Sequence, residues 1–117
     1  MAKLEGKKVM VVEDDYLIAL MLCQSFEEEG AEVLGPVGRV EAALALIARE
    51  PRIDGAVLDI NLAGDMVFPV ADALLARGVP FLFSTGYDAD ELPQLYREVP
   101  HYRKPVLPRS VCEALFA

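Results

Sequence analysis

The chain is poor in several things that would have decided its class. It has one histidine, two cysteines, no tryptophan and no apolar run of eighteen residues. Without such a run there is no membrane-spanning helix, and the short stretch Val9 to Val12 ends in acids too soon to be a signal-peptide core. Basic residues number eleven against nineteen acids, a net charge of −8, which argues against nucleic-acid binding because phosphate contacts need clustered Lys and Arg. Cys23 and Cys112 sit among apolar residues at helical spacing and are read as reduced core thiols of a cytoplasmic protein, a disulfide being the alternative. His101, the lone histidine, reads as a surface or hydrogen-bonded residue before it reads as a ligand or phospho-carrier. There is no internal repeat, low-complexity stretch or linker. There is no Gly-rich phosphate loop and no Asp-x-Asp nucleophile arrangement, which speaks against a nucleotide enzyme or phosphatase.

What is present is a length and composition suited to one packed domain. The chain has 117 residues, 54% of them hydrophobic and 26% charged. Residues 1–117 are expected to form a single domain with its own core. Short β-like runs alternate with helical periods. Val9 to Val12 is continuously apolar, as a strand buried on both faces should be. Ile18, Leu22 and Phe26 stack along a helix from Tyr16 to Glu29, stopped by Gly30. Strands are expected at 31–37, 56–58, 80–84 and 99–103. Further helices are expected around Val40 to Ile47, Val67 to Leu74, weakly over Asp88 to Tyr96, and from Pro108 through Val111, Cys112, Leu115 and Phe116. Five strands alternating with five helices predict an α/β fold, a doubly wound parallel sheet with helices on both faces.

In such a sheet the ligand site lies outside the carboxyl ends of the strands. There stand Glu13, Asp14 and Asp15 after the first strand and Asp59 after the third. Ser84 and Thr85 end the fourth, and Lys104 with Pro105 comes after the fifth. Clustered carboxylates raise one another's pKa unless a cation neutralises them. Hard oxygens of this kind suit Mg²⁺. A carboxylate is also a competent nucleophile, able to form an aspartyl phosphate. A metal, an ammonium and a hydroxyl around Asp59 would meet the demands of phosphoryl transfer. The bland readings are a turn residue for Asp59, a solvated helix start for the acid pair and a helix cap for Asp15.

Val-Val-Glu-Asp-Asp at 11–15, Leu-Asp-Ile-Asn-Leu-Ala-Gly at 58–64, Ser-Thr-Gly-Tyr at 84–87 and Lys-Pro at 104–105, in this order, resemble the receiver domains of two-component response regulators over essentially the whole chain. The resemblance implies a CheY-like, flavodoxin-type sheet in strand order 2-1-3-4-5, with Asp59 the phospho-acceptor. It further implies Asp14 as direct Mg²⁺ ligand, Glu13 holding metal water, and the Asn61 backbone carbonyl completing the protein ligands. Thr85 would be the switch hydroxyl and Lys104 the cation that pairs with the phosphoryl group.

Phe-Ser-Thr-Gly-Tyr resembles the FATGUY subgroup of single-domain receivers. The family's aromatic switch position, three before the lysine, is occupied here by His101. Tyr102 comes one residue later and should face the other way. Tyr87 is the candidate for a substitute switch or a cover over the site, with Gly86 loosening its loop. The expected function is a stand-alone receiver in a phosphorelay. It takes its phosphoryl group from a histidine kinase or histidine phosphotransfer protein and signals through contacts with a downstream protein, without turnover as an enzyme. The alternatives are a receiver fragment of a longer regulator or hybrid kinase, and a phosphate-independent pseudo-receiver.

Overall fold

The computed structural model describes residues 3–86 and 92–116. Its centre is a five-stranded parallel sheet. Strand β1 (Lys8–Val12) pairs on one side with β2 (Glu32–Val37) and on the other with β3 (Gly55–Asp59). Beyond β3, two strands, β4 (Asn61–Leu62) and β5 (Asp65–Met66), form a small antiparallel hairpin outside the sheet. Strands β6 (Phe81–Thr85) and β7 (His101–Arg103) complete the sheet, whose order is β2-β1-β3-β6-β7. Counting only the sheet's own strands, that is the expected 2-1-3-4-5.

Helices α1 (Tyr16–Glu28), α2 (Val40–Arg49), α3 (Phe68–Ala76) and α4 (Pro108–Val111) cover the two faces. Alternation along the strands divides the core. Met10, Val12, Leu58 and Phe83 pack toward α2 and α3 with Leu46, Val70 and Leu74. Val9, Val11, Val57 and Leu82 pack toward α1 and α4 with Leu22, Phe26 and Val111. Each fully buried side chain of this size contributes about 1.5–3 kcal/mol. Strands β1 and β3 are buried on both faces, so their polar residues are pushed to their ends. Helix α1 begins where Asp15 caps it, its carboxylate accepting the Ile18 N–H at 3.1 Å.

Two expectations are corrected. Of the helix expected over Asp88 to Tyr96, residues 88–91 lie outside the described ones, and the rest forms only a 3₁₀ turn at Gln94–Tyr96. Pro93 stands before that turn in an extended conformation (φ −56°, ψ 148°) and offers no N–H, so an α-helix cannot run through it. The described residues thus hold four α-helices rather than five. The last helix closes after one turn and widens into a π-turn at Cys112–Phe116. The hairpin β4–β5 was not expected at all. Its two-residue turn, Ala63-Gly64, has φ of 53° and 97°, the primed geometry that Asn-Gly would have announced and Ala-Gly does not.

The two thiols are not joined: Cys23 is buried, and Cys112 is half-buried with its Sγ donating to Lys3 O at 3.1 Å. Burial pushes both up from the ordinary thiol range. No helix among the described residues is long and apolar enough to cross a membrane.

Candidate functional site

The carboxyl ends of β1, β3 and β6 and the loop after β7 meet at one edge of the sheet. Parallel register sets Val12 beside Leu58 and Asp59 beside Ser84, so the residues just past β1 stand next to Asp59. The Lys104 N–H donates to Thr85 O at 3.2 Å, which fixes the lysine against the end of β6. The Lys104–Pro105 peptide is cis.

Glu13, Asp59, Ser84 and Thr85 are all buried. Lys104 Nζ lies 3.0 Å from Glu13 Oε1 and 3.2 Å from Asp59 Oδ2, and it donates a hydrogen bond to Glu13 Oε2 at 3.2 Å. That same Oε2 accepts the Asp15 N–H at 3.0 Å. Asp14 is exposed at the mouth, where its Oδ2 accepts the Ala63 N–H at 2.9 Å. Asn61 also lines the mouth and turns its amide oxygen to the Gly64 N–H at 2.8 Å, closing the hairpin. The resulting cleft of about 670 Å³ is lined by Asp14, Asp59, Asn61, Ala63, Gly86 and Lys104, among others.

Electrostatics follow from the crowding. Burial, then hydrogen bonds with Glu13 and Asp14, push the Asp59 carboxyl up to about 7, with Lys104 pulling the other way. Burial would raise Asp14 too, but its hydrogen bonds with Asp59 and the Ala63 amide hold it below the usual carboxylate range. Burial opposes the charge on Lys104, yet the hydrogen bond to Glu13 and the charge of Asp59 outweigh it and raise its pKa.

The donor set fits a divalent cation. One carboxylate oxygen each from Glu13, Asp14 and Asp59 lies within 4.8 Å of the others. Glu13 Oε1 is buried and takes no hydrogen bond among the described residues, only the ion-pair approach of the lysine. All the donors are hard oxygens, the chemistry that Mg²⁺ and Ca²⁺ select.

The structure therefore brings Glu13, Asp14, Asp59, Asn61, Thr85 and Lys104 to one edge, and Tyr87 lies outside the described residues. His101 is exposed on β7, paired in register with Phe83, and its Nδ1 is 3.4 Å from Val99 O. Tyr102 packs into the α1–α4 face, opposite in direction to its neighbour, as strand alternation predicts. Two contributors were not visible in the sequence. The Ala63 amide is a backbone donor and has no residue-type signal. Gly38 approaches Asp14 only because of how β2 is registered.

The chain matches no protein-family model and no curated protein. Among solved structures it is similar to SdrG from Sphingomonas melonis Fr1, with 39% identity over 98% of this chain and 96% of that one and a TM-score of 0.80. It is likewise similar to the BeF3-activated conformation of SdrG from Pseudomonas melonis Fr1, at 39% identity, 92% of each chain and a TM-score of 0.76. The receiver (REC) domain of the response regulator PhyR from Erythrobacter litoralis aligns at 25% identity over 96% and 92% of the two chains, with a TM-score of 0.81. Identity of 39% over nearly the full length of both chains decides the family: the chain belongs to the receiver domains of response regulators.

Proposed function

We propose that residues 1–117 act as a single phospho-receiver in which Asp59 accepts a phosphoryl group from a phosphohistidine, presented by a histidine kinase or histidine phosphotransfer protein. The observation that carries this reading is the placement of Lys104 Nζ at 3.2 Å from the buried Asp59 Oδ2 and 3.0 Å from Glu13 Oε1. One carboxylate is kept beside a fixed cation at the open end of the sheet. Asp59 attacks phosphorus as its carboxylate, the P–N bond to the donor imidazole breaks, and an aspartyl phosphate forms on this chain. Lys104 pairs with the oxygens of the incoming group, and the Thr85 hydroxyl, buried beside it at the end of β6, bonds the group once it has arrived.

Asp14, Asp59 and the Asn61 backbone carbonyl would hold Mg²⁺, with Glu13 holding its water. Bound there, the metal supplies positive charge that favours the ionised carboxyl and the phosphoryl oxygens. The added charge changes the surface around Thr85 and Gly86, and a downstream protein reads that change. SdrG, known in a BeF3-activated conformation, supports a switch of this kind. Tyr87, in a stretch resembling the FATGUY subgroup, takes the aromatic switch role in this reading. The domain is a cytoplasmic phosphoprotein that modifies only itself, with no turnover of a separate substrate.

Intact mass after incubation with acetyl phosphate tests the reading, for the native chain and Asp59→Asn, with Mg²⁺ or with chelator. One phosphoryl group is expected on the native chain with Mg²⁺ only. Labelling of Asp59→Asn, or no labelling of the folded native chain by either acetyl phosphate or a phosphohistidine donor, would overturn it.

A further inference from the structure

We infer that Gly38 is a positioning residue for the acid pair: the absence of a side chain there lets the turn between β2 and α2 lie against Asp14 and sets where its carboxylate stands. The inference rests on the divalent-cation reading above. Gly38 itself offers no ligand atom from a side chain.

The sequence of β2 prepares the contact. Register runs Met10 to Leu34 and Val12 to Val37, so Gly35 and Pro36 together oppose Val11. This is a β-bulge, a device found beside functional sites because it re-aims the residues downstream of it. It needs Gly35, whose φ is 103° and whose position would set a Cβ 2.9 Å from Val11 O. The extra residue advances β2 by one place. Without it the β-branched Val37 would stand opposite Glu13; with it Gly38 does.

At Gly38 a Cβ would lie 3.2 Å from Asp14 Cα, 3.3 Å from Glu13 O and 3.6 Å from Asp14 Cβ. The atoms that would have to give way are mostly backbone, and they are held. The Glu13 N–H donates to Val37 O at 2.9 Å, the Asp15 N–H donates to Glu13 Oε2 at 3.0 Å, and Asp14 Oδ2 is tied to the Ala63 amide at 2.9 Å. Asp15 then caps α1, so the segment cannot slide along the chain either. A Cβ at Gly38 would therefore press on the Asp14 backbone, which must give by a few tenths of an ångström and carry its carboxylate with it. The backbone at Gly38 is not in the left-handed region, so alanine meets a steric objection there and no conformational one. That makes Gly38→Ala a clean probe. Groups that orient a metal ligand without touching the metal typically set roughly 10- to 100-fold of its affinity.

The test is a Mg²⁺ titration of native chain and Gly38→Ala, monitored through the amide resonances of Glu13, Asp14 and Ala63, with thermal melts in chelator. Gly38→Ala is expected to melt within a few degrees of the native chain and to bind Mg²⁺ roughly 10-fold more weakly. Labelling by acetyl phosphate should need more Mg²⁺ for half-saturation and recover most of its rate when Mg²⁺ saturates. A folded Gly38→Ala with native Mg²⁺ affinity overturns the inference and leaves the metal reading standing. A native chain that binds no Mg²⁺ overturns both. Should the variant not fold, the native chain still decides: the Gly38 amide must shift along the same Mg²⁺ isotherm as Ala63, and a Gly38 amide that stays still overturns the inference.

Discussion

The amide of Ala63 donates to Asp14 Oδ2 at 2.9 Å across 49 residues of sequence. It joins the tip of the β4–β5 hairpin to the acid just past β1. The hairpin's base is held by the Val67 N–H donating to Ile60 O at 2.9 Å and by the burial of Leu62, whereas its tip has this bond and the Asn61–Gly64 bond. Removing the acceptor in Asp14→Ala should therefore loosen the tip. Amide exchange at Ala63 is expected to quicken by about tenfold, for a stability cost of about 0.5–1.5 kcal/mol. Hydrogen exchange read by NMR checks this, and unchanged protection at Ala63 would rule out the tie.

Asp59 gives a pH dependence with a definite sign. Its carboxyl stands at about 7 in the folded chain against an ordinary value of 3.8. Between those values the folded state binds the proton that the unfolded state has released, so this group makes stability fall as pH rises from about 4 to about 7. Above that window its full cost is present. Asp59→Asn is expected to exceed the native chain in stability at pH 8 in chelator, by on the order of 1–3 kcal/mol, and to lose the advantage near pH 4.5. Mg²⁺ should narrow the gap at pH 8. Urea melts of both proteins at the two pH values decide the matter, and equal stability at pH 8 in chelator would refute it.

Lys104 is the cation that makes the buried carboxylates tolerable. It is half-buried against the buried Glu13 and Asp59, so Lys104→Met leaves their charge without compensation. The expected result is a loss of about 1–3 kcal/mol at pH 8 and at least a tenfold drop in labelling by acetyl phosphate. The stability loss should shrink near pH 5, where Asp59 carries its proton in the folded chain. Native stability at pH 8 in the methionine variant would count against the assignment.

Tyr96 stacks on Phe68 with ring centroids 4.8 Å apart and an interplanar angle of 10°, and its hydroxyl donates to Asp72. Burial first, then that bond, push its phenol up to about 12. Because the folded value lies above the unfolded one, this contribution is intact below pH 10 and is lost as pH rises toward 12. Tyr96→Phe keeps the stack and should cost about 0.5–1.5 kcal/mol, whereas Tyr96→Ala opens the cluster with Phe83 and should cost about 3–5 kcal/mol. Chemical denaturation of the two variants separates the terms; equal losses would mean that the ring contributes nothing beyond its hydroxyl.

The sheet was legible because its strands announce themselves. Val9 to Val12 and Ala56 to Leu58 are apolar without interruption, and the polar residues next in the chain can only stand at the strand ends. That reasoning places Glu13, Asp14, Asp59, Thr85 and Lys104 at one edge before any coordinate is known. The hairpin escaped because Ala63 adopts a conformation that alanine rarely signals, and the Ala63 amide escaped because every residue but proline has one. The helix expected before β7 failed at Pro93, whose lost N–H outweighed a weak helical pattern. Gly38 reads as loop punctuation in the sequence, and only the bulge at Gly35 and Pro36 turns it into a neighbour of Asp14.

The bond between Lys104 and Glu13 closes a span of 91 residues. A chain leaving the ribosome exposes Glu13 and Asp14 long before Lys104, their counter-charge, 91 residues after Glu13. Until β7 docks against β6, the edge holds crowded carboxylates with no ammonium beside them, and the native sheet must tolerate that repulsion or wait. Long-range closures of this kind slow folding, because the chain entropy they cost is spent before the contact forms. The edge that carries Asp59 therefore cannot be completed until Lys104 has been made and β7 has docked, and on the proposed reading a chain stopped before that point lacks the cation its phosphoryl chemistry needs.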